Sequence, residues 1–124
     1  MVCQRRKNKL TMATTRSQLK NWQRTKVRDL LSGYIGGGWG NDSETTEFSE
    51  PAFVIRGTDI SDVLVGDTRS LPFRYHKKSN IKSRRLNDSD IVFEVSGGSK
   101  GQWVGRSLII KSRLLNKLNE NAIP

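Results

Sequence analysis

The stretch "DIVFEVSGGSKGQWVGRSLII", residues 90–110, decides the fold of this chain. From Ile91 to Ser96 the side chains alternate between two faces, which is the two-residue period of a β-strand. A loop with glycines at positions 97, 98 and 101 follows, and the segment from Trp103 to Ile110 is again rich in β-forming residues. The pattern predicts a β-hairpin made of a strand, a glycine-rich loop and a second strand.

The glycine-rich loop does not have the spacing of a nucleotide-binding site. A Walker loop requires G-x-x-x-x-G-K-[ST] and a dinucleotide fingerprint requires G-x-G-x-x-G, and each must open a helix. Neither spacing occurs at residues 97–101, which precede a strand pattern, or in "GYIGGGWG" at residues 33–40. Two interpretations stay open: a turn that only shapes the sheet, or a DNA backbone contact through Lys100 or the amides of Gly97–Gly98.

Length and composition indicate a single small domain in a reducing compartment. The chain has 124 residues, enough for one domain, and only 34% of them are hydrophobic. Cys3 is the only cysteine, so we expect no disulfide framework and a cytoplasmic location. One cysteine and one histidine, His76, do not make a structural zinc site. No apolar run approaches the ~18 residues of a membrane span, and we expect no secretory signal after the basic start.

The charge of the chain favours a polyanionic partner. The formal net charge is +10, and such a surplus is typical of proteins that bind DNA, RNA or an anionic membrane surface. Residues 1–30 hold nine Lys/Arg and one acid, and residues 31–70 hold two against seven. Residues 71–86 hold six Lys/Arg and no acid, and residues 87–124 hold five against four. Basic segments therefore flank an acidic middle.

The amino-terminal segment is expected to be separate from the domain. Residues 1–18 are polar and basic and predict a disordered arm, whereas residues 19–124 predict the domain. Met12 is an alternative start of the chain. Trp22 is expected to pack on the body of the domain.

Local patterns predict one helix before the acidic middle and several short elements after it. A helix over 26–32 would have Thr25 as its N-cap and Gly33 in a left-handed conformation after it. The glycine density of residues 33–40 predicts no regular element. The segment from Ala52 to Gly57 predicts a strand, and "DISDVLVGDT" after it fits either a short helix or a turn followed by a strand.

The basic segment after the acidic middle predicts a strand and then a helix. In the segment 73–78, Phe73, Tyr75 and Lys77 alternate with Arg74, His76 and Lys78, so we expect a strand with a cationic face. Ser79 would cap a short turn or helix over residues 80–86. Residues 87–90, "NDSD", predict a turn before the hairpin, and "SRLLNKLNENAIP" predicts one helical turn near the end.

The density of basic residues between positions 74 and 85 predicts contact with nucleic acid. Lys and Arg neutralise phosphates and release counterions, and the planar guanidinium of Arg also reads guanine edges. The residues that we expect to bind DNA are Arg74, Lys77, Lys78, Lys82, Arg84 and Arg85, with Lys100 and Arg106 around the hairpin.

Two catalytic interpretations have less support than nucleic-acid binding. A metal-dependent nuclease needs clustered carboxylates beside a lysine. The available acids are Asp59, Asp62, Asp67, Asp88, Asp90 and Glu94. Asp59 and Asp88 occur in turn contexts where Asp is a common cap, and Asp90 and Glu94 would share a strand face far from a lysine. A Ser–His–Asp site would need His76, which is flanked by lysines and has no nucleophile placed beside it. We therefore predict no catalytic residue, no metal and no cofactor.

Four segments in this order resemble the specificity (S) subunit of type I restriction–modification systems, and more narrowly the first part of its target-recognition domain. They are "IGGGWGND" (35–42), "FVIRGTDI" (53–60), "PFRYHKKSNIKSRRLNDSDIVFEVSGGSKGQWVGRSLII" (72–110) and "RLLNKL" (113–118) with "AIP" (122–124). The resemblance covers about Leu19 to Pro124. Each segment alone is a weak signal, and their order makes it specific.

The resemblance implies an α/β domain whose loops read one half of a split DNA target. Family members join this domain to long spacer helices and usually to a second such domain. They have no catalysis of their own. They dock methyltransferase subunits, which use S-adenosylmethionine, and through them an ATP-driven restriction subunit. Family domains continue for several strands beyond the position of Pro124, so we expect this chain to be a truncated form.

The sequence therefore predicts a mixed α/β domain that binds double-stranded DNA as a specificity component and directs methylation and restriction by partner subunits. The alternative is a small basic RNA-binding or ribosome-associated module, because charge alone does not distinguish DNA from RNA.

Overall fold

The computed structural model describes residues 2–3, 23–97, 101 and 104–124. Seven strands and four short helices alternate within them, so the predicted mixed α/β class is confirmed. The strands are β1 (Val2–Cys3), β2 (Tyr34–Ile35), β3 (Glu50–Val54), β4 (Phe73–His76), β5 (Ile91–Phe93), β6 (Ser107–Ile109) and β7 (Ala122–Ile123). The helices are α1 (Val27–Leu30), α2 (Ile60–Leu64), α3 (Lys78–Arg84) and α4 (Ser112–Lys117), with a 3₁₀ turn at Gly57–Asp59 before α2.

The described strands form two sheets. One has the order β2-β1-β5-β6 with antiparallel neighbours, and the other has the order β4-β3-β7. In the second sheet β3 pairs antiparallel with β4 and parallel with β7. The predicted hairpin is confirmed, since Ile91 pairs with Ile109 and Phe93 with Ser107.

The core is built from the last described segment as much as from the hairpin. Ala122 and Ile123 are fully buried because β7 lies beside β3, the central strand of its sheet. The amide of Leu86 also donates to the carbonyl of Ala122 at 2.9 Å. Helix α4 buries Leu115 against the larger hydrophobic cluster, so the predicted helical turn near the end of the chain is confirmed and extends to six residues.

Strand β5 buries the face that carries Val92 and Glu94 and exposes Phe93. The alternation was predicted from the sequence, but which face lies inside was not. A buried carboxylate requires a partner, and the hairpin supplies one. The amide of Glu94 donates to the carbonyl of Arg106 at 2.9 Å, which brings the two residues into register.

Three predictions near the amino-terminal end of the described domain are wrong. Helix α1 follows Lys26, which makes no side-chain cap bond, so Thr25 is not the N-cap. Gly33 is not among the glycines with positive φ. Residues 34–35 form β2 by pairing with β1, a long-range contact that glycine density cannot reveal.

Part of the amino-terminal arm that was expected to be disordered is a strand. Val2–Cys3 form β1, which pairs with β2 and β5. Residues 4–18, which include Met12, and Trp22 lie outside the described residues.

Two predictions for the basic segment are also wrong. Helix α3 begins at Lys78, one residue before Ser79, because the chain leaves β4 through an extended Lys77 (φ −69°, ψ 143°). Strand β4 has no cationic outer face, since His76 is fully buried and only 12% of the Arg74 side chain is exposed. Loop residues cover that face, and Asn41 forms a bridge with Tyr75 on the free edge of β4.

Gly57 is required by its contact with Glu94. A Cβ atom at position 57 would lie 2.7 Å from Oε1 and 2.8 Å from Cγ of Glu94. Both oxygens of this carboxylate are bonded to Arg106, so the side chain cannot easily move away. The 3₁₀ turn can therefore pack against the hairpin only because Gly57 has no side chain.

We predict that Gly57→Ala destabilises the fold by about 1–3 kcal/mol, the usual cost of forcing an extra carbon into a packed site. Gly36→Ala is the matched control, because a Cβ at Gly36 meets nothing within 4 Å. Urea denaturation followed by tryptophan fluorescence measures both. Equal stability of the two variants would show that the turn moves aside without cost.

Candidate nucleic-acid interface

The acidic middle of the chain neutralises two of the residues predicted to bind DNA. Arg74 donates from Nη1 to the carboxylate of Asp42 and from Nε to the carbonyl of Trp39 at 3.2 Å. Its guanidinium also lies 4.2 Å from the centroid of the Trp39 ring. Lys77 forms an ion pair with Glu47. Both cations are therefore paired with carboxylates of the acidic loop, and the signal was the run of acids before them in the sequence.

Arg106 is a structural residue of the hairpin. Its Nε and Nη2 donate to the two carboxylate oxygens of Glu94 at 3.0 and 2.8 Å. Only 4% of the Glu94 side chain is exposed. Hydrogen bonding from Arg106 holds the pKa of Glu94 below its ordinary value, so the carboxylate stays charged and the pair stays formed.

Arg84 is partly committed to holding a loop. Its Nε donates to the carbonyl of Gly36 at 3.1 Å, and its Nη1 donates to Oδ1 of Asn80 at 2.6 Å. Neither partner is charged, so Arg84 keeps its positive charge, but its side chain is only half exposed. Lys100 lies outside the described residues.

Lys78, Lys82 and Arg85 are the predicted residues that stay available. All three are exposed, and within the described part of the chain their side chains have no hydrogen-bond or ion-pair partner. Lys78 and Lys82 lie one turn apart on α3, and Arg85 is its C-terminal cap residue. The structure therefore reduces the predicted cluster to three cations along one short helix and its C-terminal cap.

Lys82 and Arg85 line a cleft of about 210 Å³, which we call the α3 cleft. Residues 33–35, Asn87 and Asp90 also line it. Asp90 forms no ion pair with these cations; it is buried, and its Oδ2 accepts the amide of Asn87 at 2.8 Å.

Tyr34 is the residue of this cleft that sequence reasoning missed. It belongs to β2, and 73% of it is exposed. One signal in the sequence could have indicated it, an aromatic side chain beside glycines with no apolar residue two positions before or after it. Two cations beside an exposed aromatic ring can neutralise phosphates and stack on a base.

The carboxylates considered for a nuclease act mainly as caps. Asp59 accepts the amide of Arg56 at 2.9 Å and also binds its guanidinium. Asp88 accepts the amide and hydroxyl of Ser112 at the start of α4, and these bonds lower the pKa of Asp88. Among residues 23–97, 101 and 104–124, no three His, Cys, Asp or Glu side chains gather as a metal site would need.

His76 is buried in the second sheet without a hydrogen-bond partner for either ring nitrogen among the described residues. Gly40 leaves room for the ring, since a Cβ there would lie 2.5 Å from its Cε1. Burial, and then the charges of Arg74 and Arg84, lower the pKa of His76. The imidazole is therefore neutral in the folded chain near pH 7. A buried, neutral His76 does not fit the prediction that β4 presents a cationic face to phosphates.

Comparison with protein-family models, curated proteins and solved structures finds no match. Within the part of the chain that the structure describes, no helix has the length and apolar character needed to cross a bilayer.

We predict that stability falls as the pH is lowered from 7 to 5. The unfolded chain takes up a proton on histidine below pH ~6.5, whereas folded His76 resists it because its pKa is lowered. The unfolded state then binds more protons, so the free energy of unfolding decreases as pH falls. Urea denaturation across this range measures the slope.

His76→Leu provides the control for this pH dependence. His76 is the only histidine in the chain, and no other side chain titrates in this range at its ordinary pKa. The variant should therefore show a nearly flat stability between pH 7 and 5. A slope equal to that of the unmodified chain would assign the effect to another group.

Proposed function

We propose that this chain binds double-stranded DNA through the α3 cleft and the adjoining face of α3. The observation that carries the proposal is that Lys82 and Arg85 line this cleft together with the exposed Tyr34, while Lys78 lies one helical turn from Lys82. All three cations are exposed and unpaired among the described residues. Lysine and arginine heads that are not already paired release the most counterions when they meet phosphates. The three cations therefore account for anchoring to the DNA backbone.

Within this proposal the two kinds of cation have different tasks. Lys78 and Lys82 act as point charges on the phosphates, while the planar fork of Arg85 can bind two acceptors at once. Base reading would come from loops beside the cleft, because phosphate contacts position a protein and base contacts give specificity. The loop of the hairpin, with Lys100, stays a second predicted contact.

The type I specificity-subunit assignment is part of the same proposal. Three of the segments that resemble that family contain residues in mutual contact. Gly57 from "FVIRGTDI" packs on Glu94, which pairs with Arg106 near the end of the longest segment. Trp39 from "IGGGWGND" lies between Arg56 and Arg74, with its ring centroid 5.9 and 4.2 Å from their guanidinium carbons. These contacts support a single folded unit.

The assignment gives the chain a non-catalytic task in the cytoplasm. Methyltransferase and restriction subunits would carry out methylation and cleavage, and this chain would supply part of the target recognition. Selection of bound duplexes from a random DNA pool tests the specificity. A recurring short half-site supports the proposal, whereas enrichment without any common sequence contradicts a recognition role.

We predict that Lys82→Gln/Arg85→Gln weakens duplex DNA binding and reduces its salt dependence. The slope of log K against log salt should become less steep by about 1–2, since each phosphate contact contributes about 0.9. Fluorescence anisotropy with a labelled duplex at several salt concentrations measures it.

Lys111→Gln/Arg113→Gln is the matched control for this measurement. It removes the same two charges from residues that line a different cleft. Its slope should stay close to that of the unmodified chain. An equal loss of slope in both double variants would mean that DNA responds only to total charge, and the α3 cleft would then not be the interface.

Tyr34 also favours a second candidate function, the binding of single-stranded RNA. An exposed aromatic ring beside cations is a stacking platform, and stacking is available when bases are unpaired. Competition between labelled duplex DNA and single-stranded RNA of equal length distinguishes the two. Stronger binding of RNA, together with its loss in Tyr34→Ala, would replace the DNA proposal.

A further inference from the structure

A larger cleft lies on a different part of the surface, between the end of α2, strand β6 and helix α4. Its volume is about 440 Å³, and we call it the α4 groove. Its apolar wall consists of residues 63–65, Leu108, Ile109 and Leu114. Lys117 and Gly66 also line it, and the Nζ of Lys117 donates to the carbonyl of Gly66 at 2.7 Å. The hydrogen bond joins α4 to the turn after α2 and fixes the shape of the groove.

The apolar wall continues onto the outer surface. Leu64 is 62% exposed and Val65 is 84% exposed, and both follow Val63, which is buried in the core. Ile109 on β6 adds a third exposed aliphatic side chain. Leaving such a group in water is unfavourable, and a contiguous apolar patch beside a groove is typical of an interaction site.

The rim of the groove is cationic. Lys111, Arg113 and Lys117 line it, and none of the residues that line it is acidic. Within the described part of the chain, the side chains of Lys111 and Arg113 have no hydrogen-bond or ion-pair partner. An occupant that matches both wall and rim must therefore present apolar side chains together with negative charge.

Several kinds of occupant fit less well. Duplex DNA offers phosphates to the rim but no aliphatic surface to cover Leu64 and Val65. A small amphiphilic anion would fill the groove and leave these outer side chains in water. The segment at residues 4–22 carries six Lys/Arg and no acid, so the rim repels it.

A second copy of the chain also fits poorly. Its net charge of +10 opposes self-association. Two carboxylates of its acidic loop are already engaged, because Asp42 is paired with Arg74 and Glu47 with Lys77.

We propose that the α4 groove binds an acidic amphipathic segment of a partner protein. Two or three of its aliphatic or aromatic side chains enter the groove and cover Leu64, Val65 and Ile109. Its carboxylates lie against Lys111 and Arg113. This is the helix-in-groove type of peptide recognition, with the rim charges setting the orientation and the rate of association. The site is separate from the α3 cleft and does not depend on the proposed DNA binding.

The test uses a displayed library of random peptides of about 12 residues, roughly three helical turns, selected on the full chain. Leu64→Ser/Val65→Ser serves for counter-selection, and it should fold normally because both side chains are largely exposed. We expect the selected peptides to combine at least two apolar residues with at least two Asp or Glu. One selected peptide is then synthesised and its affinity is measured by fluorescence anisotropy.

Two charge variants complete the design. Lys111→Gln/Arg113→Gln should weaken binding of the peptide about tenfold and reduce the salt dependence of that binding. Lys82→Gln/Arg85→Gln should leave the affinity for the peptide unchanged. Circular dichroism confirms that each variant is folded. Selected peptides without acidic residues, or equal binding to the Leu64→Ser/Val65→Ser variant, would overturn the proposal. Dimerisation that this variant abolishes would also overturn it, since the occupant would then be a second copy.

Discussion

The pair between Glu94 and Arg106 is the constraint on which the arrangement of the domain depends. Glu94 points into the protein, where an unpaired carboxylate would be costly. The hairpin places Arg106 opposite it through the backbone bond from the Glu94 amide to the Arg106 carbonyl. Gly57 then lies against the carboxylate because it has no Cβ. Hairpin register, ion pair and 3₁₀ turn are thus mutually dependent.

The distribution of usable positive charge is a result of tertiary pairing. A net charge of +10 indicates a polyanionic partner but not a surface. Asp42 and Glu47 form ion pairs with Arg74 and Lys77. Some of the cations that stay unpaired line two clefts of different chemistry, the α3 cleft beside an aromatic ring and the α4 groove beside aliphatic side chains. Two kinds of binding partner are therefore expected from one basic chain.

Elements defined by local contacts were predictable, and elements defined by distant contacts were not. The β5–β6 hairpin follows from alternation around a glycine-rich loop, and α4 follows from its leucine spacing. Strand β2 exists because it pairs with β1, more than thirty residues earlier in the chain. The buried side of β4 is likewise set by a loop that covers Arg74 and by Gly40, which leaves space for the His76 ring.

The sequence by itself determined the mixed α/β class, the central hairpin and the excess of positive charge, because periodicity and composition are local properties. The tertiary structure alone decided which cations remain available. The Lys and Arg side chains from Arg74 to Arg85 are chemically similar in the sequence. They differ in the groups that the fold places next to them. Arg74 and Lys77 form ion pairs with an acidic loop, and Arg84 donates a hydrogen bond to a backbone carbonyl. Lys82 and Arg85 stay exposed to solvent.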